Sequence, residues 1–121
     1  ILLGEDGANI INRNSRLAFI ATGKYWVNNH AHIMKANADN LNYFICEYLE
    51  SLDYSKICAG SAQPKLTQDV IRNLTIKAPC KEEQQKIADC LSSLDSLIQT
   101  QQKVVTTWQQ RKKALLQQMF I

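Results

Sequence analysis

From Glu82 to Phe120 the chain contains neither glycine nor proline and is rich in Gln, Lys, Leu and Ser, so nothing interrupts a helix of about 58 Å at a rise of 1.5 Å per residue. Alternate steps of four and three from Ile87 land on Leu91, Leu94, Ile98, Gln101, Val105, Trp108, Lys112, Leu115 and Met119, and eight of these ten positions are apolar. A seam with a period of 3.5 kept over more than four heptads is the signature of a coiled coil. A lone helix of this length cannot bury such a seam against a domain of about 80 residues, so a second helix is required. The eight apolar side chains, half buried, supply on the order of 6 to 12 kcal/mol gross per strand before the entropy of association is subtracted. Gln101 and Lys112 interrupt the seam. They read either as tolerated polar defects, the lysine snorkelling to water, or as residues that fix register and orientation.

What precedes the helix has to supply the globular part. Ile1-Leu2-Leu3, Leu17 to Ala21, Tyr25-Trp26-Val27 and Ala31 to Ala36 are short apolar runs with β-branched and aromatic members, separated by polar and glycine-containing turns. Such runs predict strands. Thr22-Gly23-Lys24 predicts a tight turn, because glycine takes the positive φ that such turns need. Asp39 is placed to cap a helix whose stripe is Leu41, Phe44, Ile45, Tyr48, Leu49 and Leu52, a helical spacing that packs one face on the sheet. Thr67 is placed to cap a short helix carrying Val70 and Ile71, Leu74-Thr75-Ile76 reads as a last strand, and Pro79 ends it. The fold class is α+β: a small mixed α/β domain over residues 1–80, followed by one long coiled-coil-forming helix over 81–121. The opening Ile1-Leu2-Leu3, without a methionine, predicts a domain truncated at its N-terminus.

Composition restricts function only loosely. The hydrophobic content of 45% and charged content of 21% are those of an ordinary globular chain, which argues against disorder. A net charge of +3 permits binding to phosphate without demanding it. Cys46, Cys58, Cys80 and Cys90 include no closely spaced pair of the zinc-knuckle kind, and reduced structural thiols are expected ahead of disulfides or a metal site. No apolar run approaches the ~20 residues that span a bilayer, and a cytoplasmic location with no membrane partner is expected.

At the junction between the two parts, Gly60-Ser61-Ala62-Gln63-Pro64-Lys65-Leu66-Thr67 is followed by a short helix, a strand ending in proline, and Pro79-Cys80-Lys81-Glu82-Glu83-Gln84-Gln85-Lys86-Ile87, with Leu91 and Leu94-Asp95 opening the long helix. This arrangement resembles the specificity subunit of type I restriction-modification systems, in which a Gly-Ser-x-Gln-x-x-Leu-Thr-like loop precedes a strand, a proline and a Glu-Gln-x-x-Ile helix start. The similarity is strong over about 60 residues. Gly4 to Ala8 and Gly23 to His32 also look like segments of the family's target-recognition domains. Where many members carry two or three prolines before the Glu-Gln pair, this chain has Ala78-Pro79-Cys80.

The resemblance implies a non-catalytic module that reads one half of a split target in double-stranded DNA. Its helix would act as a spacer and bridge to a methyltransferase subunit and a restriction nuclease subunit, which hold the catalysis. It implies the C-terminal end of such a subunit or a half-length version of it, and it implies no cofactor. With one recognition domain and one helix, the chain is expected to form a homodimer through antiparallel helices, paired along Ile87, Leu91, Leu94, Ile98, Val105, Trp108, Leu115 and Met119.

Contact with DNA needs cations for phosphate and flat donor-acceptor side chains for base edges. The candidates are Ser61, Gln63 and Lys65 in the junction loop, Arg13 and Arg16 in the polar stretch from Asn12, and Lys24, Tyr25, Asn28, Asn29 and His30 in the segment that ends at His32. Each has a plain alternative: a loop bracing the helix root, a solvated connection between strands, a polar strand end. Trp26 and Val27 are expected in the core. His30 and His32, two apart on a strand, face one way and suit a metal, yet no third ligand lies at a suitable spacing, so a metal hydrolase is the weakest reading and no metal site is assigned. The remaining alternative is a coiled-coil homodimer that serves interaction and has no role at DNA.

Overall fold

The computed structural model describes residues 1–58 and 63–120. The elements run β1 (Leu2–Gly4), α1 (Asn9–Asn12), β2 (Ala18–Phe19), β3 (Ala31–Ile33), α2 (Asn42–Ser51), a 3-10 turn (Tyr54–Lys56), α3 (Gln68–Arg72) and α4 (Lys81–Met119). The sheet is antiparallel with order β2-β1-β3. This is the α+β class expected, with strands shorter than the apolar runs that announced them.

Register sorts the sheet into two faces. Leu3 stands opposite Ala18 and His32, whereas Leu2 stands opposite Phe19 and Ile33. Because side chains alternate along a strand, the Leu3 rung turns inward, and Leu3 and Ala18 are fully buried. On the Leu2 rung, Phe19 and Ile33 are exposed. The core gathers Leu3, Ile10, Leu17, Ala18, Cys46, Leu49, Tyr54 and Leu66. Burial pushes the Cys46 thiol above its ordinary range, as expected for a sulfhydryl that packs as a small hydrophobe. The Tyr54 hydroxyl donates to the Leu49 carbonyl at 2.9 Å, and burial raises the phenol to about 12.

Several expectations need correction. Tyr25-Trp26-Val27 is not a strand, and Gly23, at φ 83°, bends an extended connection instead of closing a hairpin. The run has no alternation to anchor one face, and Trp26 is 94% exposed rather than in the core. Leu74-Thr75-Ile76 is not a strand either. Leu74 and Ile76 pack against the core cluster, and the Leu74 N–H donates back to the Ile71 carbonyl at 3.1 Å, so the alternation there reports burial and not a ladder. Asp39 does not cap α2. The N-cap position is Leu41, in extended geometry with no side-chain cap, and its N–H is taken by Gln84 from the far side of the junction. Thr67 does cap α3, its hydroxyl accepting from the Val70 N–H at 3.4 Å.

Two further pieces were not apparent from sequence patterns. Residues 9–12 form a single helical turn stopped by Arg13 in the left-handed region (φ 52°), and it buries Ile10. Asn9 locks the exit by pairing both amide atoms with the backbone of Ser15, at 2.9 and 3.0 Å.

The chain forms two compact units, Ile1–Gln85 and Lys86–Ile121. In the first, Glu82 and Glu83 lie in the opening turn of α4, where negative charge complements the helix dipole. In the second, Ser93, Ser96, Thr100, Thr106 and Thr107 donate to the carbonyl four residues back, which satisfies their hydroxyls without leaving the helix. Leu94, Ile98, Val105, Trp108, Leu115 and Met119 are exposed along it.

Candidate nucleic-acid interface

The end of β1 is stitched to the junction loop. The Leu66 N–H donates to the Glu5 carbonyl at 2.7 Å, Asp6 and Lys65 form an antiparallel bridge, and Lys65 Nζ pairs with Glu5 Oε1 at 3.0 Å. Leu66, wholly buried, anchors the stitch. Lys65 is therefore exposed but already neutralised by an acid that lies 60 residues earlier in the chain. Gln63 is exposed at the rim. Ser61, with Gly60, lies outside the described residues.

The imidazoles divide between two jobs. His32 Nε2 faces the Leu66 carbonyl, which can only accept, so that nitrogen carries the proton; the side chain is nearly buried, with Glu5 at 3.9 Å. His30 Nδ1 lies 2.7 Å from the Asp6 carboxylate, so here the proton sits on Nδ1. Nε2 remains as the second hydrogen-bonding atom of a ring that is 59% exposed. The Asn28 side chain accepts from the His30 backbone N–H at 3.1 Å and fixes the bend before β3. Among the described residues no three His, Cys, Asp or Glu side chains are grouped to hold a metal ion.

Arg13 and Arg16 turn toward α2. Arg13 donates to the Glu50 carbonyl, pairs with the Glu50 carboxylate at 2.7 Å and stacks over Tyr54 at 5.9 Å. Arg16 pairs with Glu47 and donates to the Ala18 carbonyl at 3.2 Å. Their charges are neutralised within the domain, which no local pattern around residue 13 or 16 could reveal.

Lys24, Tyr25, Asn28, Asn29 and His30 are all exposed on the connection between β2 and β3. Lys24 has no hydrogen bond or ion pair among the described residues. Beside this connection an open cleft of about 600 Å³ is lined by Glu5, Asn29, His32, Gln68 and Arg72, floored by Ile33, Met34 and Ile71. Arg72 was not among the sequence candidates, and neither were Asp6 and Trp26. For Trp26 alone one signal was available: from Gly7 to Ala38 there is no Asp or Glu, while Arg13, Arg16, Lys24 and Lys35 fall inside the same run, and of these Arg13 and Arg16 are paired with Glu50 and Glu47. Such a stretch favours a negatively charged partner.

A three-stranded antiparallel sheet with short helices, with exposed amides and a cation on one connection, followed in the chain by a 39-residue helix, defines an α+β protein with one long C-terminal helix. The sequence pattern of the type I restriction modification DNA specificity domain matches residues 11–107, and the chain belongs to that family. A Haemophilus influenzae protein described as a type I restriction enzyme specificity subunit is 30% identical over 97 residues, covering 80% of this chain and 25% of its own length. The specificity subunit of the type I restriction enzyme HindI, from the same organism, is 32% identical over 92 residues, covering 68% of this chain and 20% of its own. The chain thus spans a quarter or less of the length of these relatives. No solved structure matches it significantly. No helix among the described residues is long and apolar enough to cross a membrane.

Proposed function

We propose that this chain reads one half of a split target in double-stranded DNA as part of a type I restriction-modification assembly in the cytoplasm. It does no chemistry of its own. Its long helix joins it to the methyltransferase and nuclease subunits that do. The observation that carries this reading is the family match over residues 11–107, supported by an exposed connection bearing Lys24, Asn28, Asn29 and His30 that lies within an acid-free run of 32 residues. Amide side chains there suit adenine edges, a lysine suits phosphate or guanine, and His30 Nε2 suits an exocyclic amine. Arg13, Arg16 and Lys65 are held in internal ion pairs and contribute to this face by shaping it.

Duplex binding should weaken steeply as salt rises from ~50 to ~200 mM, because neutralised phosphates release counterions. Replacing Lys24 by alanine should lower the slope of log affinity against log salt by about one and weaken all sequences alike. Binding that is insensitive to salt would count against the reading.

The exposed stripe on α4 favours pairing with a second helix, and in the absence of a longer subunit the pairing is between two copies in antiparallel register. This stripe is also what the rival reading, an interaction protein with no role at DNA, would use, and salt-dependent duplex binding separates the two. Sedimentation at micromolar concentration should show a dimer. The double change Ile98→Glu and Val105→Glu should give a monomer with the helical content of the first unit unaltered, since buried carboxylates in a seam cost several kcal/mol. A wild-type chain that stays monomeric would remove the pairing.

A further inference from the structure

Resting on the DNA-binding reading above, we propose that Trp26 is a stacking element that inserts against a nucleobase of the bound duplex. A tryptophan is ordinarily among the more buried residues of a fold, yet Trp26 is 94% exposed, on a connection where Tyr25 is 49% exposed and Val27 turns partly inward. Nothing in the first unit packs on its indole, so folding of this domain gains little from it. The neighbours define what covers it. Lys24, two residues away, has no acidic partner among the described residues, Asn28 and Asn29 follow on the same exposed connection, which itself carries no Asp or Glu, and Asp6, which meets it at His30, is occupied by that imidazole. An apolar protein segment would gain from the indole alone. A polyanion with flat apolar faces gains from the indole, the ammonium and the amides together.

Nucleic acid has those faces. Every base presents a π-surface, so stacking tolerates any sequence, whereas the amides and His30 discriminate among bases. Within a duplex the base faces are covered by one another, so the indole enters by opening one base step. That step is opened most easily at pyrimidine–purine junctions. Trp26 thereby adds affinity that does not come from counterion release, and it anchors the connection so that Asn28, Asn29 and His30 meet the adjacent base edges.

The test uses the full chain and a fluorescently labelled pool of randomised duplexes of about 30 base pairs, or three helical turns. In the wild type, duplex should quench part of the tryptophan emission in step with binding measured by anisotropy. In Trp26→Phe that quenching should vanish while binding is largely kept. Trp26→Ala should weaken binding roughly tenfold or more with an unchanged salt slope, the opposite of Lys24→Ala, and with an unchanged far-ultraviolet spectrum. If the wild type binds but Trp26→Ala binds equally well, or if quenching survives in Trp26→Phe, the inference is overturned. Unaltered duplex binding together with lost association to a methyltransferase subunit would overturn it in favour of a protein partner. If the wild type binds no duplex at any salt, it is the DNA-recognition reading itself that falls.

Discussion

Replacing Glu50 by alanine is expected to cost about 3–5 kcal/mol, a large share of the roughly 5–15 kcal/mol that holds a domain together. One oxygen of this carboxylate accepts from the backbone N–H groups of both Leu17 and Ala18, at 2.9 and 2.8 Å, and the other pairs with Arg13 at 2.7 Å. Alanine strands two N–H groups next to buried Leu17 and Ala18 and leaves a partly buried guanidinium without its anion. Removing one partner of such a network costs far more than the net worth of the bonds. β2 is only two residues long, so this clasp from α2 does much of what a longer ladder would do. Glu50→Gln should lose about half as much, because the amide keeps one acceptor for the backbone but turns a donor toward Arg13. Denaturant melts of the three proteins check the order, and equal stability of wild type and Glu50→Ala would refute it.

Gln84→Ala is expected to cost about 2–4 kcal/mol. Gln84 is 1% exposed although it is polar. Its oxygen accepts from the Leu41 N–H at 3.0 Å, and its nitrogen donates to the Asn40 side chain at 2.8 Å and the Pro79 carbonyl at 2.9 Å. It therefore caps α2 from outside and ties the first turn of α4 to the segment leading into that helix, a part reinforced by Lys81 Nζ on the Ala38 carbonyl at 2.8 Å. Gln84→Glu keeps the acceptor for Leu41 but sets a carboxylate against the Pro79 carbonyl, so it should recover little. Amide exchange at Leu41 gives a local readout: it should speed up in Gln84→Ala by more than at residues far from the junction. The glutamine of the Glu-Gln-x-x-Ile pattern is thus accounted for as the node that joins the first turn of α4 to Asn40, Leu41 and Pro79 within the first unit.

Much of the frame could be read in advance because it depends on local rules. The absence of Gly and Pro after Lys81 and a 3.5-residue apolar period specify α4 without reference to any other segment, and the spacing from Phe44 to Leu49 does the same for α2. The Thr67 cap needs only three residues. Legibility failed where an outcome depended on a distant partner. Asp39 satisfies the local rule for a cap, but Gln84, 43 residues beyond Leu41, occupies that role. The rule that marks Arg13 and Arg16 as cations suited to phosphate says nothing of Glu50 and Glu47, with which the fold pairs them. Trp26 satisfies the rule for a core aromatic, but no surface closed over it.

What the sequence by itself determined is the kind of elements and their order, a short-stranded α+β head leading into a continuous helix with an apolar seam, since backbone propensity and side-chain period act over a few residues. Only the tertiary structure decided which charges are spent internally and which side chains are left facing outward, because an ion pair or a buried amide is settled by whichever groups the folded chain brings within about 3 Å, and sequence separation carries no information about that distance.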